Sequence, residues 1–495
     1  MMVTISEKQV FHRLEFDNPW WAKGAGIDKH YSTFKRRLYF QPLMNLVRDR
    51  SVNRAVVIMG SRRVGKTVIV FQAIQDLLDS GVDGHSVIYA SLDTPLYSDL
   101  PLEKILMMFQ KRFNHAKDSN LHIFFDEVQY LRDWEVHLKS LVDSFPAYTF
   151  IVTGSAAAAL KLKSRESGAG RFTEFILPPL TFSEYIHFIG RKEELIKSSE
   201  SGLPIALNIA ELNREFCNYL NYGGYPEAVF SATIQKDLSR YIKSDIIDKV
   251  LLRDLPSLYG ISDIQELNRL FTTLAYNTGM EISLENLSKG SGVAKNTIKR
   301  YLEYLEAAFL IRRVNRIDQN SRHFKRVILF KVYLTNPSMR SALFGQLDPE
   351  DPDMGHLVET AIYSQWLHSL EIDALYFARW QSGEIDLVFL SPFSQKAEWI
   401  VEVKWSDSAL KDNSQLENCV DFVRSNGIGD KKVLITTRSV YGELKYKDVV
   451  FEFVPSSMYA YIVGETSLRL KNAILLPNEA MLDVENGSIR PPGFR

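Results

Sequence analysis

The segment from Ala55 to Leu78, AVVIMGSRRVGKTVIVFQAIQDLL, constrains the fold of this chain more than any other stretch. An apolar, β-rich run enters a loop that is bounded by glycines, and a helical pattern of apolar residues follows. The loop between Gly60 and Thr67 fits the pattern G-x-x-x-x-G-K-[ST]. Strand, glycine loop and helix in this order predict an α/β core whose loop binds phosphate groups.

Each residue type in this loop suits the phosphates of a nucleotide. The glycines let the backbone curl so that its N–H groups face phosphate, and the helix that follows adds the positive end of its dipole. We expect Lys66 to meet the β and γ phosphates and Thr67 to hold Mg²⁺. The predicted nucleotide-binding residues of the loop are Gly60, Ser61, Arg62, Arg63, Val64, Gly65, Lys66 and Thr67.

Two further predicted strands carry polar residues at their ends. The first, LHIFFDEVQYL, contains Asp126, which could orient the Mg²⁺ shell, and Glu127, which could polarise the attacking water. A plain surface pair is the alternative, but four apolar residues before the pair would bury it unless metal and water were present. The second, YTFIVTGSA, places Thr153 and Ser155 where a hydroxyl could sense the γ-phosphate, although these residue types also cap helices.

The overall composition excludes several classes of protein. Lys and Arg number 59 against 60 Asp and Glu, so any contact with nucleic acid must come from local patches. The two cysteines, Cys217 and Cys419, are about two hundred residues apart, which rules out a disulfide framework or a cysteine zinc cluster and favours a reducing cytoplasm. We find no signal peptide and no run of about eighteen apolar residues, so the sequence predicts a cytoplasmic protein that does not span a membrane.

The middle of the chain contains a predicted helix-turn-helix. The stretch EISLENLSKGSGVAKNTIKRYLEYLEAAFLIRRV indicates helix, turn and helix, with Gly290 and Gly292 in the turn. The second helix of such a motif enters the major groove, so we expect its polar face to contact DNA. The predicted DNA-binding residues of this helix are Lys295, Asn296, Thr297, Lys299 and Arg300.

A basic segment, IRRVNRIDQNSRHFKRVILFK (311–331), follows the second helix and suits phosphate contacts from a wing. The alternative is a rigid connector that does not touch DNA. The wing residues predicted to bind DNA are Arg322, Lys325 and Arg326. The other basic residues of the segment are Arg312, Arg313, Arg316 and Lys331.

The C-terminal part has acidic residues on neighbouring predicted elements. A helix (356–370) carries Glu359, and two strands, ALYFARWQSGEIDLVFL and KAEWIVEVKWSD, carry Asp386 and the pair Glu402-x-Lys404. Side chains two apart on a strand share a face, so Glu402 and Lys404 lie side by side. This arrangement resembles the PD-(D/E)xK nuclease fold, which is of the restriction-endonuclease type.

The resemblance implies a metal site for cleavage of phosphodiesters. Mg²⁺ takes oxygen ligands and keeps several waters, so two or three carboxylates suffice, and Mn²⁺ could replace it. Asp386 and Glu402 would hold the metal, Glu359 would complete its shell, and Lys404 would activate water or stabilise charge on the phosphate. The alternative is a modest ion pair between Glu402 and Lys404 on a non-catalytic scaffold.

The motifs GSRRVGKT, FFDEVQY, IVTGSA, AGRFTEFILPPLTFSEY and YGGYPEAVF occur in this order and resemble the archaeal-type AAA+ ATPases of the AAA_14 family, which commonly carry a C-terminal DUF4143 domain. The resemblance covers most of the chain and implies binding and hydrolysis of ATP. It makes Lys66 and Thr67 the Walker A residues, Asp126 and Glu127 the Walker B residues, and Thr153 or Ser155 the sensor 1 residue.

Arg171 precedes the predicted strand TEFILPPL, where AAA+ proteins often present an arginine finger to the nucleotide of a neighbouring subunit. A local salt bridge is the alternative, and Arg253 is a second candidate. An arginine finger would make the active form a homo-oligomer.

Together these patterns predict an α/β multidomain protein. Its predicted parts are an N-terminal extension (1–48), a three-layer P-loop AAA+ core (49–180), a helical lid (181–276), a winged helix (277–340) and a DUF4143 or nuclease-like α/β domain (341–495). We expect an ATP-hydrolysing protein that acts on DNA through the winged helix and cleaves it with a Mg²⁺-dependent nuclease domain. The alternative is a nucleotide-switched DNA-binding regulator or adaptor whose C-terminal domain is non-catalytic.

Overall fold

A computed structural model of the chain describes residues 6–97, 100–154, 170–199, 204–322, 329–429 and 433–474. The predicted site residues Ser155, Lys325 and Arg326 lie outside this part of the chain. The chain divides into two compact units, Met1–Leu177 and Pro178–Arg495, which are described in turn. In the described ranges, no helix has the length and apolar character needed to cross a membrane.

The core of the first unit is a parallel sheet, and its described strands lie in the order β2-β3-β4-β1-β5. These strands are β1 (Ala55–Met59), β2 (Val87–Ser91), β3 (His122–Asp126), β4 (Thr149–Gly154) and β5 (Phe172–Ile176). Strands β1, β3 and β4 are buried at every position, as expected for a parallel sheet that helices cover on both faces. The predicted α/β core is confirmed.

Helices flank this sheet. Those described are α1 (Glu7–Asp17), α2 (Lys29–Ser32), α3 (Phe40–Arg48), α4 (Lys66–Asp79), α5 (Leu102–Phe113) and α6 (Trp134–Ser144). Short 3₁₀ helices cover Pro19–Trp21, Gly84–Ser86 and Val128–Tyr130. Helix α1 begins with a capping box, in which the Ser6 hydroxyl accepts from the backbone N–H of Gln9 and the Gln9 side chain accepts from that of Ser6.

The N-terminal segment Asn-Pro-Trp-Trp covers the edge strand β2. The amide oxygen of Asn18 accepts from the backbone N–H of Tyr89 at 2.6 Å, and its amide nitrogen donates to the Tyr89 carbonyl at 2.8 Å. The indole N–H groups of Trp20 and Trp21 donate to the Val87 carbonyl at 3.1 and 2.9 Å. An edge strand exposes unpaired backbone groups, and these side chains satisfy some of them. The predicted N-terminal extension is thus packed onto the sheet of the first unit.

The second unit is built on a long mixed sheet, with its described strands in the order β15-β16-β14-β13-β12-β11-β9-β10-β8. These strands are β8 (Glu281–Ser283), β9 (Ile311–Ile317), β10 (Leu329–Leu334), β11 (Leu375–Arg379), β12 (Glu384–Leu390), β13 (Ala397–Glu402), β14 (Val433–Thr437), β15 (Gly442–Tyr446) and β16 (Val449–Pro455). A separate antiparallel pair consists of β6 (Ile196–Ser198) and β7 (Pro204–Ala206).

A parallel contact between β9 and β11 makes this sheet continuous. It aligns Phe377 with Arg316 and Ala378 with Ile317. Strands β8 to β10 belong to the segment that the sequence assigned to a winged helix, whereas β11 begins the predicted nuclease-like domain. The two predicted domains therefore share one sheet rather than meeting at a linker.

The helices of the second unit lie around this sheet. Those described are α7 (Phe182–Ile189), α8 (Lys192–Leu195), α9 (Ile209–Tyr222), α10 (Pro226–Phe230), α11 (Ala232–Lys236), α12 (Leu255–Tyr259), α13 (Ile264–Tyr276), α14 (Leu284–Ser291), α15 (Lys295–Ala307), α16 (Ser338–Phe344), α17 (Met354–Trp366), α18 (Glu417–Asn426) and α19 (Ser456–Ile474). Two π-helical segments cover Ser239–Asp248 and Val250–Asp254, and 3₁₀ turns cover Ile372–Ala374, Ser408–Leu410 and Asn413–Leu416.

Part of the predicted lid shares an apolar core with the C-terminal helices. Phe182 of α7 and Phe216 of α9 belong to the same buried cluster as Trp366 of α17. The side-chain oxygen of Gln365 accepts from the backbone N–H of Phe182 at 2.8 Å. Helical periodicity predicts that such a segment is a helix but does not indicate which apolar surface the helix packs against. The packing of α7 and α9 against α17 could therefore not be predicted from the sequence.

One predicted C-terminal strand, ALYFARWQSGEIDLVFL, is a hairpin. Strands β11 and β12 are antiparallel, and the backbone N–H of Trp380 donates to the Gly383 carbonyl at 2.9 Å in the turn. The prediction of a single strand here is wrong, because Gln381-Ser382-Gly383 forms a turn that apolar patterning did not reveal.

Candidate functional site

The glycine loop of the first unit has two positions, Gly60 and Gly65, at which the backbone favours glycine. A Cβ atom on Gly60 would lie 2.2 Å from the Leu177 carbonyl oxygen, and Gly65 has a φ of 96°. Lys66 is buried at the start of α4, and its ammonium donates to the carbonyls of Gly60 at 3.0 Å and Ser61 at 2.8 Å. The loop thus folds back over its own lysine at the N-terminus of a fourteen-residue helix.

The residues of this loop fit a phosphate group. Within the described residues, the buried hydroxyl of Ser61 has no hydrogen-bond partner, which is uncommon for a buried polar atom. A hydroxyl can donate to a phosphate oxygen, and the adjacent helix N-terminus favours the same charge. Arg37 of the N-terminal extension supports the loop by donating to the Val64 carbonyl at 3.1 Å. The sequence pattern did not indicate this arginine, which precedes Val64 by 27 residues.

Asp126, at the C-terminal end of β3, is held by hydroxyl groups from both sides. One carboxylate oxygen accepts from Tyr89 at 2.8 Å and from Thr67 at 2.9 Å, and the other accepts from Thr153. Strand β3 lies between β2 and β4, which carry Tyr89 and Thr153. A carboxylate beside a threonine hydroxyl is an oxygen pair of the kind that Mg²⁺ binds. The structure brings together the predicted residues Thr67, Asp126 and Thr153.

Tyr89 is a site residue that sequence reasoning missed. Its side chain is buried, and burial together with the charge of Asp126 raises the pKa of its hydroxyl well above the ordinary value, so the hydroxyl donates its proton to the carboxylate. The only available signal was a tyrosine in VIYAS, an otherwise small and apolar strand. That signal becomes informative only when β2 is known to lie beside β3.

Glu127 follows Asp126 in an unusual backbone conformation. Its φ of 55° is in the left-handed region, and its N–H donates to the Thr153 hydroxyl at 3.1 Å. Its carboxylate accepts from Gln129. Burial raises the pKa of Glu127, while the positive charge of Lys66 acts in the opposite direction. A buried carboxylate whose pKa is raised is better suited to accept a proton from water than a solvated one.

Arg171 forms the local ion pair that the sequence left as an alternative. Its guanidinium binds the Asp143 carboxylate, and both side chains are about two-fifths exposed. Exposed pairs of this kind contribute at most about 1 kcal/mol, so Asp143 would not hold Arg171 strongly against another partner. The arginine-finger role of Arg171, and the homo-oligomer that it implies, stay predictions. Arg253 is exposed in a π-helical segment of the second unit.

In the second unit, Lys331 lies between the carboxylates that the sequence assigned to a metal. Its ammonium is 2.8 Å from Glu359, 2.8 Å from Glu384 and 3.1 Å from Asp386. The Lys331 side chain is only 4% exposed. The prediction that Lys331 contributes to a basic wing surface is therefore wrong.

Other donors complete this cluster. The second carboxylate oxygen of Asp386 accepts from the backbone N–H of Val403 at 3.0 Å. The Tyr333 hydroxyl donates to Glu359 at 2.6 Å. Lys404 and Glu402 pair at 2.8 Å. This contact is the alternative to a metal-binding role that the sequence left open for these two residues.

The predicted metal ligands do not fit a resident divalent cation. In the described ranges, no group of three or more His, Cys, Asp or Glu side chains could hold a metal ion. Glu359 and Asp386 are brought together as predicted, but an ammonium bridges them, and Glu402 is paired with Lys404. No step of a metal-dependent reaction follows from this arrangement.

The pKa values of Glu359, Asp386 and Glu402 shift in different directions. Burial raises the pKa of Glu402 to about 8 and that of Glu359 to about 7, and the nearby charge of Asp386 adds to both shifts. Burial acts in the same direction on Asp386, but the charges of Lys331 and Lys404 outweigh it and lower the pKa of that carboxyl. Asp386 is therefore the acid that stays ionised at neutral pH.

The predicted DNA-contacting face of α15 is accessible. Lys295, Asn296, Lys299 and Arg300 are exposed, and Thr297 is half-buried. The opposite face of the helix is buried in the unit through Ile298, Tyr301, Leu302 and Leu305. Along the chain, these helices and strands follow one another in the order α13, β8, α14, α15, β9 and β10.

The basic segment after α15 is largely neutralised. Arg312 pairs with Asp373, and Arg313 donates to Glu306 at 2.9 Å. Arg316 donates to the Arg379 carbonyl at 3.0 Å and lies 3.7 Å from Glu281. The sequence predicts a phosphate-binding cluster here, because the acids that neutralise these arginines lie in other elements and are not visible in the segment itself. Arg322 is exposed beside a gap in the described residues.

Two family models match separate parts of the chain. Residues 52–186 match the AAA domain, and residues 213–350 match a domain of unknown function, DUF8612. The second match spans most of the predicted lid and winged helix, so the predicted DUF4143 assignment of the C-terminal part stays a prediction. The core of the first unit therefore resembles the AAA domain in sequence, and its parallel sheet and glycine loop agree with the predicted resemblance.

Proteins of known sequence and solved structures resemble the chain over much of its length. An uncharacterized protein of Haemophilus influenzae is 23% identical over 403 residues, which cover 80% of this chain and 92% of that protein. One from Methanocaldococcus jannaschii is also 23% identical, over 77% of this chain and 85% of its own length.

The solved structures that match part of the chain include AMPPCP-bound DnaA from Aquifex aeolicus, with a TM-score of 0.29 and 14% identity over 56% of this chain and 90% of DnaA. Cdc6p from Pyrobaculum aerophilum has a TM-score of 0.29 and 13% identity over 64% of this chain and 98% of Cdc6p.

Proposed function

We propose that this protein is a Mg²⁺-dependent ATPase whose AAA domain controls contacts between the second unit and DNA. The observation that supports the ATPase is the position of Asp126, whose carboxylate is bound by the hydroxyls of Thr67, Tyr89 and Thr153 and is followed by the half-buried Glu127. Four side chains from separate elements converge there. A surface carboxylate pair would not require such support.

The residues of the first unit have complementary roles in the proposed reaction. The loop N–H groups, the Ser61 hydroxyl and Lys66 bind the phosphates of ATP. Thr67 and Asp126 would hold Mg²⁺, which neutralises charge on the phosphates. Glu127 polarises the attacking water and accepts its proton. Thr153 donates to Asp126 and accepts from the N–H of Glu127, so it fixes the two acids relative to each other.

Removal of the metal tests this ATPase function. We expect the full-length protein to release phosphate from ATP in the presence of Mg²⁺, and the rate to fall to the background level when EDTA is added in excess. Restoring free Mg²⁺ should recover the rate, which controls for irreversible unfolding by the chelator. Absence of hydrolysis at saturating Mg²⁺ and ATP, with and without duplex DNA, would contradict the proposed function.

The support for a DNA contact is the exposed polar face of α15. Helices α14 and α15 are followed by strands β9 and β10, which pair with β8, and we infer that this segment acts as a winged helix whose second helix would enter the major groove. Three basic residues, Lys295, Lys299 and Arg300, stand on the exposed side of α15, and Lys295 also lies 3.7 Å from Glu285. Most basic residues of the following strand are paired with acids. The proposed contact is therefore carried by the helix more than by the wing.

DNA binding should respond to salt in a way that identifies these residues. We expect binding of a duplex to weaken steeply with salt, and the double variant Lys299→Ala and Arg300→Ala to bind about tenfold more weakly at low salt with a log–log salt slope reduced by about 2. The exposed Lys445 of β15 provides a control, because Lys445→Ala removes one charge away from α15. Binding that is insensitive to salt, or unchanged in the double variant, would favour the rigid connector.

A further inference from the structure

We propose that Lys331 is the resident cation of a carboxylate cluster in the second unit, so that this cluster binds no divalent metal. The carboxylate cluster consists of the buried Glu359 and Asp386 and the half-buried Glu384 and Glu402. Its acids are those that the resemblance to the PD-(D/E)xK nuclease fold assigned to a metal, together with Glu384, and they join a helix to the strands that carry Asp386 and Glu402. The inference concerns the second unit alone and does not depend on ATP hydrolysis in the first.

The geometry satisfies an ammonium group fully. A lysine ammonium has three N–H donors and no acceptor. Each donor of Lys331 has a carboxylate partner, at 2.8 Å for Glu359, 2.8 Å for Glu384 and 3.1 Å for Asp386. A Mg²⁺ ion bound to the same oxygens would need them at about 2.0 to 2.1 Å, in the volume where the ammonium lies. The lysine and the metal are therefore alternative occupants of one position.

Lys331 is held in this position by its surroundings. Its backbone lies in β10 between β9 and β8, aligned with Val314 on one side and Glu281 on the other. Its ammonium lies 5.4 Å from the centre of the Phe377 ring, an arrangement that favours a cation. The side chain is almost fully buried, so it cannot swing into solvent without disturbing the strand. The charges of the surrounding acids keep its pKa well above the ordinary value, and it stays charged at neutral pH.

The remaining ligands of the predicted metal site are also engaged. Val403 donates its N–H to the Asp386 oxygen that Lys331 does not reach, and Tyr333 donates to the Glu359 oxygen that Lys331 binds. Lys404 donates to a carboxyl oxygen of Glu402 at 2.8 Å. The cluster thus resembles a metal site in the placement of its acids but has its own positive charge. We infer that it ties β10, β12 and α17 together instead of activating water.

Binding of Mn²⁺ to the full-length protein tests this inference. Every protein carries Asp126→Asn and is measured without nucleotide, so that the first unit contributes no site, and bound Mn²⁺ is measured by electron paramagnetic resonance. We expect no tight site with Lys331 present, and no change when Asp386→Asn is added. In Lys331→Met we expect a new Mn²⁺ site. It should bind at least tenfold more tightly than any Mn²⁺ binding seen with Lys331 present, and it should disappear when Asp386→Asn is added.

A matched variant and a second measurement keep the outcomes distinct. Lys404→Met removes a lysine from the same cluster but leaves Lys331 in place, so it should create no Mn²⁺ site. A stoichiometric site in the protein with Lys331 present that Asp386→Asn abolishes would overturn the inference, and this comparison does not require Lys331→Met to fold. A folded Lys331→Met protein that gains no site would also overturn it. So would Mg²⁺-dependent cleavage of DNA that Asp386→Ala abolishes.

Discussion

The substitutions Lys66→Ala and Glu127→Gln are expected to slow ATP hydrolysis strongly, each for a different reason. Lys66→Ala removes the ammonium that lies under the glycine loop, so ATP should bind more weakly and turn over at least about a hundredfold more slowly. Glu127→Gln removes the proton acceptor but keeps the shape of the side chain. It should lower kcat by about a hundred- to ten-thousand-fold while ATP binding stays nearly unchanged.

Phosphate release and binding of a fluorescent ATP analogue, measured on the same preparations, separate these two effects. Lys111→Ala is a suitable control, because this lysine is exposed on α5 of the same unit and should have wild-type turnover. The raised pKa of Glu127 predicts in addition that the wild-type rate falls as the pH drops and this carboxyl becomes protonated. If Glu127→Gln kept more than half of the wild-type kcat, another group would have to polarise the attacking water.

The second large effect concerns the stability of the second unit. Lys331→Met leaves the buried Glu359 and Asp386 without their cation, whereas the half-buried Glu384 keeps Arg379 at 3.4 Å. Breaking a buried ion pair from one side costs about 3 to 5 kcal/mol of folding free energy. We expect a loss of this size at pH 8. It should be smaller at pH 5, because the carboxylates can then bind protons in place of the ammonium.

The sign of this pH dependence follows from the raised pKa values of two acids. Glu359 and Glu402 have folded-state pKa values of about 7 and about 8, against ordinary values of 4.5. Their protonated forms contribute stability that is fully present below about pH 4.5 and is lost as the pH rises through 7 to 8. Wild-type protein should therefore become less stable from pH 5 to pH 8, and Glu402→Gln should flatten this decline.

Hydrogen exchange measures this stability locally, which matters because a chain of two units need not unfold in one step. Amide protection in β10 and β12 should fall in Lys331→Met, and protection in β1 and β3 should not, since those strands belong to the first unit. Equal loss of protection at pH 5 and pH 8 would contradict the explanation by carboxylate charge.

The nucleotide loop could be predicted because its determinants are local. Gly60, Gly65, Lys66 and Thr67 lie within eight consecutive residues, and the backbone conformation of that loop follows from glycine and a helix N-terminus. Asp126 and Thr153 could be added because each ends an apolar strand. Tyr89 could not be found in this way, because its position beside Asp126 depends on the order of strands in the sheet.

The N-terminal aromatic segment shows a similar limit. The local pattern of NPWW predicts no contact, and the structure places Asn18 and both tryptophans against the backbone of β2. Asn18 and Tyr89 are 71 residues apart, and nothing in either segment indicates the other. The resulting contact fixes β2, whose Tyr89 hydroxyl donates to Asp126, so the predicted extension supports the proposed nucleotide site.

Local pattern by itself determined the glycine loop, the acids that follow β3, the amphipathic helix α15 and the pairing of Glu402 with Lys404, because residues a few positions apart interact through the geometry of one strand, loop or helix. Only the tertiary structure decided what surrounds Asp386. Lys331 precedes it by 55 residues and belongs to a segment that looked like a basic wing. The sheet that joins β9 to β11 brings this lysine into the carboxylate cluster, and a buried charge takes the nearest opposite charge in space, whatever their separation along the chain.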